Sequence, residues 1–204
     1  MLYGICGSMG SGKNTVGEIL VQNGFKSLSF ASTLKDATAA IFGWDRDLLE
    51  GVTKESREFR ETVDMFWSEH LERPITPRRI LQEMGTEVMR DSFHQDIWLF
   101  SLKRQIKPGG NYVITDARFK NEIEFIKGLG GKIVYVERGE KPVWWPYAVD
   151  DYTFDHGLMK ENYPDVHPSE YSWVGADFDI VIDNNGTLYD LKNKTLQLTH
   201  GVSL

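Results

Sequence analysis

A single cysteine, Cys6, stands in the 204 residues, so no disulfide can close within the chain and its framework must come from core packing. Nowhere does an apolar run reach the roughly 18 residues that a membrane-spanning helix needs. The five histidines, His70, His94, His156, His167 and His200, lack the close pair spacing of a zinc site. Excess positive charge is missing as well: 23 Lys and Arg against 30 Asp and Glu leave a formal net charge of −7, which gives no overall pull toward nucleic acid or an anionic membrane. A polyanionic ligand would have to be held by a few locally focused cations. The sequence goes straight into an apolar strand without a basic leader or a small-residue cleavage site, and a reducing, cytoplasmic setting is expected. Cys6 ends that strand, where a small buried hydrophobe is the expected role and a reactive thiol the alternative.

What is present begins with length. A chain of 204 residues fits one domain, 1–204, with room for an inserted subdomain. Between the apolar run Leu2 to Cys6 and an amphipathic run carrying Val16, Ile19 and Leu20 lies Gly7-Ser8-Met9-Gly10-Ser11-Gly12-Lys13-Asn14-Thr15. The order is strand, glycine loop, helix, and the pattern Gly-x-x-x-x-Gly-Lys in that context reads as a P-loop: small residues let backbone N–H groups wrap a phosphate chain while Lys13 reaches its outer oxygens. The helix starting near Lys13 adds its positive end to the same anion. Gly10, Ser11, Gly12, Lys13, Asn14 and Thr15 are therefore the expected ATP-binding residues. Asn14 follows the lysine where Ser or Thr usually ligates magnesium, and the hydroxyl comes one place later at Thr15; this resembles the loop of nucleoside monophosphate kinases more than that of GTPases.

Further along, Lys26 to Phe30 reads as a short strand, and Leu34, Ala37 and Ile41 as the apolar side of a helix closed by Gly43. From Trp44 to Pro77 charged residues crowd together around an apolar stripe of Phe59, Val63, Phe66 and Trp67, the composition of an insertion, placed at 44–95. At 100° per residue, Arg79, Gln82, Thr86 and Arg90 share one side of the next helix, with Leu81, Met84 and Val88 opposite. That stripe is either an ordinary solvated face or a site for a nucleotide acceptor, since arginine grips phosphate and glutamine pairs with a base edge. Trp98 to Ile106 is a further helix. Tyr112 to Thr115 is an apolar strand ending in Asp116, which is placed to organise magnesium beside a P-loop or to cap the helix carrying Ile123 and Ile126. Lys132 to Glu137 is a fourth strand with Arg138 at its carboxyl end, and Phe178 to Ile182 a fifth. Between them, 139–175 is rich in aromatics and lacks sustained periodicity, as expected of a lid-like loop. Strands alternating with helices predict an α/β fold with a parallel sheet covered on both faces, and ligands at the carboxyl ends of its strands.

Taken together, the residues resemble the bacteriophage-type deoxynucleoside monophosphate kinases, a branch of the P-loop kinases. The resemblance rests on the glycine loop, on Leu81-Gln82-x-x-Gly85-Thr86-Glu87-x-x-x-Arg with Trp98 following, on Thr115-Asp116-x-Arg118-Phe119-x-Asn121-Glu122, and on His167-x-Ser169-Glu170. It implies a three-layer P-loop kinase fold with a five-stranded parallel sheet, a helical acceptor-binding insertion and a lid loop. It also implies transfer of the γ-phosphoryl group of ATP to a (deoxy)nucleoside 5′-monophosphate. Lys13, Arg118 and Arg138 are then the expected catalytic cations, and Arg79, Gln82, Thr86, Arg90, Trp98 and Glu170 the substrate-binding residues. Asp116 is expected to hold Mg²⁺ through water. Small nucleotides are the expected partners, with no nucleic acid or membrane, a homodimer as a candidate assembly, and the host cytoplasm as the setting. A P-loop kinase for another small metabolite such as dephospho-coenzyme A, or a non-catalytic ATP-binding module, is the alternative. Two departures stand out: Asn14 where many relatives carry Asp, and a lid segment whose only lysines and arginines after Arg138 are Lys141 and Lys160.

Overall fold

The apolar run Leu2–Cys6 is buried along its whole length as strand β1, because both faces of a parallel sheet are covered. Around it lie β2 (Lys26–Leu28), β3 (Tyr112–Ile114), β4 (Lys132–Glu137) and β5 (Ile180–Asp183). All pairings are parallel and the order is β2-β3-β1-β4-β5. The strand at the far edge, β5, alternates buried and exposed residues, as expected of a strand with one covered face. The structure is a computed structural model in which residues 1–200 are described.

The helices are α1 (Lys13–Gln22), α2 (Ser32–Phe42), α3 (Lys54–Glu61), α4 (Met65–His70), α5 (Pro77–Gln82), α6 (Ile97–Lys103), α7 (Lys120–Gly128), α8 (Trp145–Phe154), α9 (Leu158–Asn162), α10 (Pro168–Tyr171) and α11 (Leu188–Leu198). Tyr3, Ile5, Val134 and Val136 point to one face of the sheet, where they join Val16 and Leu20 of α1 and Leu191 and Leu198 of α11 in one core cluster. The Tyr3 hydroxyl donates to the Leu198 carbonyl at 2.9 Å. On the other face α7 presses so close at Gly4 that a Cβ there would lie 2.6 Å from the Ile126 Cδ1.

Chain contacts group the residues into two compact units, Met1–Ser29 with Ile106–Leu204, and Phe30–Gln105. The first holds the sheet; the second is helical and takes in α2 and α6 beside residues 44–95. In place of one long loop, 139–175 contains α8, α9 and α10. Two of its aromatics pack on Tyr135 of β4, with ring centroids 5.9 Å from Trp145 and 5.5 Å from Trp173, and Phe178 beyond the stretch joins them at 4.9 Å. Three helices this short leave no sustained periodicity in the sequence.

In the helical unit the chain from Pro77 does not keep one helical period. After Gln82 the turns widen into a π-helical stretch, Glu83–Phe93, in which each residue advances by less than 100°. The expected apolar side of Leu81, Met84 and Val88 is broken accordingly: Leu81 is 8% exposed but Val88 45%.

Close approach at Gly17 of α1 gives a test of the packing. A Cβ there would sit 2.5 Å from the Thr115 methyl, whereas one at Gly128 would meet nothing within 4 Å. Gly17→Ala should cost about 1–3 kcal/mol by overpacking, and Gly128→Ala should gain about 0.4–1 kcal/mol by restricting the unfolded chain. Urea unfolding midpoints that move in opposite directions are the expected outcome.

Candidate functional site

The order β2-β3-β1-β4-β5 makes β1 the switch point of the sheet, since the chain goes from β1 to the edge at β2, returns to β3 beside β1 and then crosses to β4 on the other side, and open α/β sheets bind ligands just beyond such a point. The loop that leaves β1 there turns on glycines: Gly10 has φ +77° and Gly12 +105°. Gly12 is the N-cap of α1 with no side-chain cap, so the first-turn N–H groups are not taken by a capping side chain, as an anion site requires. Lys13 folds back over the loop and donates to the carbonyls of Gly7 at 2.6 Å and Ser8 at 2.7 Å. Buried Ser11 finds no hydrogen-bond partner for its hydroxyl among the described residues.

Neighbouring strand ends supply the rest. Beyond β3, Thr115, Ala117 and Arg118 reach the same place, and beyond β4, Arg138 does. With Gly7, Gly10, Gly12, Lys13, Asn14 and Thr15, and with Ser169, Glu170 and Trp173 from the end of the 139–175 stretch, they line a cavity of about 400 Å³. Glu122, itself buried, accepts the backbone N–H of Arg118 at 2.8 Å and of Phe119 at 3.2 Å, which starts α7 and fixes the turn that presents Arg118. Burial and then the nearby Arg118 lower the Lys13 pKa to about 8, while Glu170 acts in the opposite direction. Cys6, just below the loop, is buried with its Sγ on the Ala117 carbonyl at 3.4 Å, and burial pushes its thiol up to about 12. It is a core residue.

Of the other expected residues, Asp116 is half-buried at the end of β3 and does not line the cavity; it accepts the Ser29 hydroxyl at 2.6 Å. His167 caps α10 by accepting the Ser169 backbone N–H on its Nδ1 at 3.2 Å, with the Ser169 hydroxyl 2.9 Å from the same nitrogen; of the group His167, Ser169 and Glu170, the last two face the cavity. Asn184, directly after β5, stands in an Asn-Asn-Gly sequence that by itself signals a turn and nothing more. Its side-chain amide donates to the Ser11 carbonyl at 2.7 Å. Trp173 likewise carried no signal beyond its aromatic setting.

The remaining expected residues lie in the helical unit. Gln82, Thr86 and Arg79 are exposed and Arg90 is partly so. Arg79 donates to Glu83 at 2.8 Å, and Arg73 makes a bidentate pair with the same carboxylate, 2.5 Å for each bond; Arg73 first, then Arg79, hold Glu83 down to about 2. Trp98 is 6% exposed and its indole N–H goes to the Gly85 carbonyl at 2.9 Å, so it anchors the π-helical stretch. It also borders a second cavity, about 820 Å³, walled by Leu34, Ala37, Met84 and Phe100. That space is larger but almost wholly apolar, and the convergent polar groups that phosphate chemistry needs are in the smaller one.

A glycine loop entering an uncapped helix, with a lysine and two arginines at adjacent strand ends, places this protein among the P-loop kinases. Comparison with known proteins narrows the class. Residues 49–195 match the family model described as deoxynucleotide monophosphate kinase. Over 219 aligned residues the chain is 30% identical to a protein of Acanthamoeba polyphaga mimivirus described as "Putative deoxynucleotide monophosphate kinase", covering 100% of this chain and 98% of that one. It is 44% identical over 55 residues to the deoxynucleoside-5′-monophosphate kinase of Escherichia phage T5, 26% of this chain and 22% of that one. With the deoxynucleotide monophosphate kinase of Escherichia phage RB69 it shares 28% over 122 residues, 57% and 42% of the two chains. The chain belongs to the deoxynucleotide monophosphate kinase family, and it is a nucleotide kinase.

The lowered Lys13 pKa predicts how anion binding follows pH. A phosphate chain stabilises the charged lysine, so binding raises its pKa and takes up protons near pH 8 to 9. Affinity for tripolyphosphate relative to Lys13→Arg, whose charge is permanent, should be constant below about pH 8 and fall as Lys13 deprotonates above it. Calorimetry across that range checks this; parallel pH profiles for the two proteins would show that Lys13 does not titrate on the ligand.

Proposed function

We propose that the protein transfers the γ-phosphoryl group of ATP to a deoxynucleoside 5′-monophosphate, giving the diphosphate. The observation that carries this reading is the convergence of Lys13, Arg118 and Arg138 on one cavity with the glycine loop. An acceptor phosphate oxygen is already ionised near neutral pH, so the reaction calls for alignment and charge neutralisation, with no general base. Lys13 exchanges its two loop carbonyls for phosphate oxygens, and Arg118 and Arg138 neutralise the charge that spreads over the migrating group. Gly10, Ser11, Gly12, Asn14 and Thr15 hold the donor's phosphates. Ser169, Glu170 and Trp173 close one wall, and the helix-bearing stretch 139–175 shields the γ-phosphate from water.

Arg79, Gln82, Thr86 and Arg90 hold the acceptor, the arginines at its phosphate and Gln82 at its base. Magnesium fits the residues present in one form. Among the described residues no group of three or more His, Cys, Asp and Glu could hold a metal by itself, and Mg²⁺ keeps most of its waters and leans on substrate phosphates plus one or two carboxylates. Asp116, already a hydrogen-bonded carboxylate at the end of β3, is the residue that would hold it through water. When bound, the ion adds positive charge at the β- and γ-oxygens.

Coupled ADP production with ATP, magnesium and a panel of ribo- and deoxynucleoside 5′-monophosphates, with dephospho-coenzyme A as the rival acceptor, tests the assignment. Turnover on deoxynucleoside monophosphates is expected; turnover on dephospho-coenzyme A alone, or ATP binding without transfer to any acceptor, would overturn it. Lys13→Ala should lower kcat by orders of magnitude with the fold intact. Arg79→Ala leaves Glu83 paired with Arg73, so it is a clean probe of the acceptor. Arg79→Ala and Arg90→Ala should each raise the monophosphate KM roughly ten- to a hundredfold, the loss of a charge-assisted contact of about 1.5–3 kcal/mol, with the KM for ATP little changed. A rise in the ATP constant alone would place the acceptor elsewhere.

A further inference from the structure

The turn that follows β5 touches the phosphate cavity at two points without lining it. The ladder between β4 and β5 pairs Glu137 with Asp183 and then continues one step further, as the backbone N–H of Asn184 donates to the Glu137 carbonyl at 2.8 Å. Its buried side chain, 8% exposed, turns the other way and donates to the Ser11 carbonyl at 2.7 Å. The fit is tight: a Cβ on Gly12 would lie 2.5 Å from the Asn184 Nδ2. Asn185 then accepts the Gly139 N–H at 2.8 Å through its Oδ1. The turn is itself held rigid, with the Asn185 N–H and Nδ2 both donating to Asp183 Oδ1 at 3.0 and 2.6 Å, and Lys194 donating to the Asp183 carbonyl at 2.6 Å.

Peptide planarity turns these bonds into orientation. In a trans peptide the carbonyl and the following N–H point in opposite directions. Fixing the Ser11 carbonyl on Asn184 therefore fixes the Gly12 N–H on the opposite side, toward the cavity that Gly12 lines. The two peptides that flank Arg138 are pinned in the same way, one through the Glu137 carbonyl and the other through the Gly139 N–H. With both neighbouring peptide planes held, the backbone dihedrals of Arg138 are set by two consecutive residues of the turn. We infer that Asn184 and Asn185 are positioning residues that lock a donor of the glycine loop and the backbone of Arg138 into one rigid frame. The inference rests on the proposed role of Arg138 in neutralising the migrating phosphoryl group.

A frame that acts through Arg138 makes a specific prediction for kcat. Positioning at a transition-state contact lowers kcat more than it raises KM, and two residues acting as one unit are non-additive. Asn185→Ala should lower kcat about tenfold with both KM values within about threefold of the parent, and should change kcat less than about twofold in an Arg138→Ala background. Asn184→Leu keeps the bulk but leaves the Ser11 carbonyl without its donor; it should raise the KM for ATP about tenfold, by the same factor with or without Arg138. Thermal unfolding of each variant separates these effects from loss of fold, and the Asn184 arm stands if Asn185→Ala does not fold. A fall in kcat from Asn185→Ala that is equal in both backgrounds, or no fall at all, overturns the frame while leaving the reaction intact. Full kcat in Arg138→Ala alone overturns the role of Arg138, and the frame with it.

Discussion

The parallel alignment of β1, β3 and β4 is the constraint on which the site depends. Each strand is short, and each delivers its functional group in the few residues after its last ladder bond: the glycine loop after Cys6, Arg118 after Ile114, Arg138 directly after Glu137. Antiparallel pairing of any one would send its group to the opposite edge of the sheet. The right-handed crossovers that parallel strands require bury both faces, which explains why β1 has no exposed residue. A chain of net charge −7 can thus offer an anion three cations and a helix N-terminus at one place. Among the described residues one carboxylate, Glu170, shares that wall, and its effect is to favour the charged form of Lys13 against the burial that opposes it.

Legibility in the sequence followed the locality of the contacts. The glycine loop was readable because strand, loop and helix are contiguous, and because Lys13 bonds to Gly7 and Ser8 of its own loop. The strand Lys132–Glu137 was readable as a short β-branched run. Arg118 and Arg138 could be placed at strand ends and hence, by the rule for open α/β sheets, on the loop's side. Asn184 could not, since its partner Ser11 is 173 residues away and an Asn-Asn-Gly sequence is fully explained by a turn. The helices of 139–175 escaped for another reason. The five residues of α9 and the four of α10 show too few repeats for a period to emerge, and α8 buries Ala148 alone among its ten residues, which leaves no apolar stripe to read.

Aromatic density was the ambiguous signal of that stretch. Eight aromatics in a loop-like sequence fit a closing lid as well as a packed wall. At the two ends of the stretch the rings are packed: Trp145 and Trp173 lie tilted against Tyr135 of β4 and edge-on to each other at 5.6 Å. Ser169 and Glu170 lie within four residues of Trp173 and are carried by the same anchored segment. Motion at their position therefore has to be local to α10 and its His167 cap, or else break an aromatic contact worth about 0.5–1.5 kcal/mol beyond its area burial.

The π-helical stretch shows how one side chain can reset the meaning of a sequence pattern. In an α-helix the Gly85 carbonyl belongs to the ladder; here it accepts the Trp98 indole at 2.9 Å, and an inserted donor of this kind is a recognised cause of distortion. Gly85 also sets a close approach to α2, since a Cβ there would lie 2.8 Å from the Leu34 Cδ2. The wider turn persists to the end, where the His94 N–H reaches back five residues to Met89. Thr86 and Arg90 therefore lag behind the angles that a 100° period assigns them, while Arg79 and Gln82, on the α-helical part, do not. The four residues still share an outward side, but as a twisted line and not a straight stripe, and the bond from the Trp98 indole to the Gly85 carbonyl lies within the stretch where that line twists.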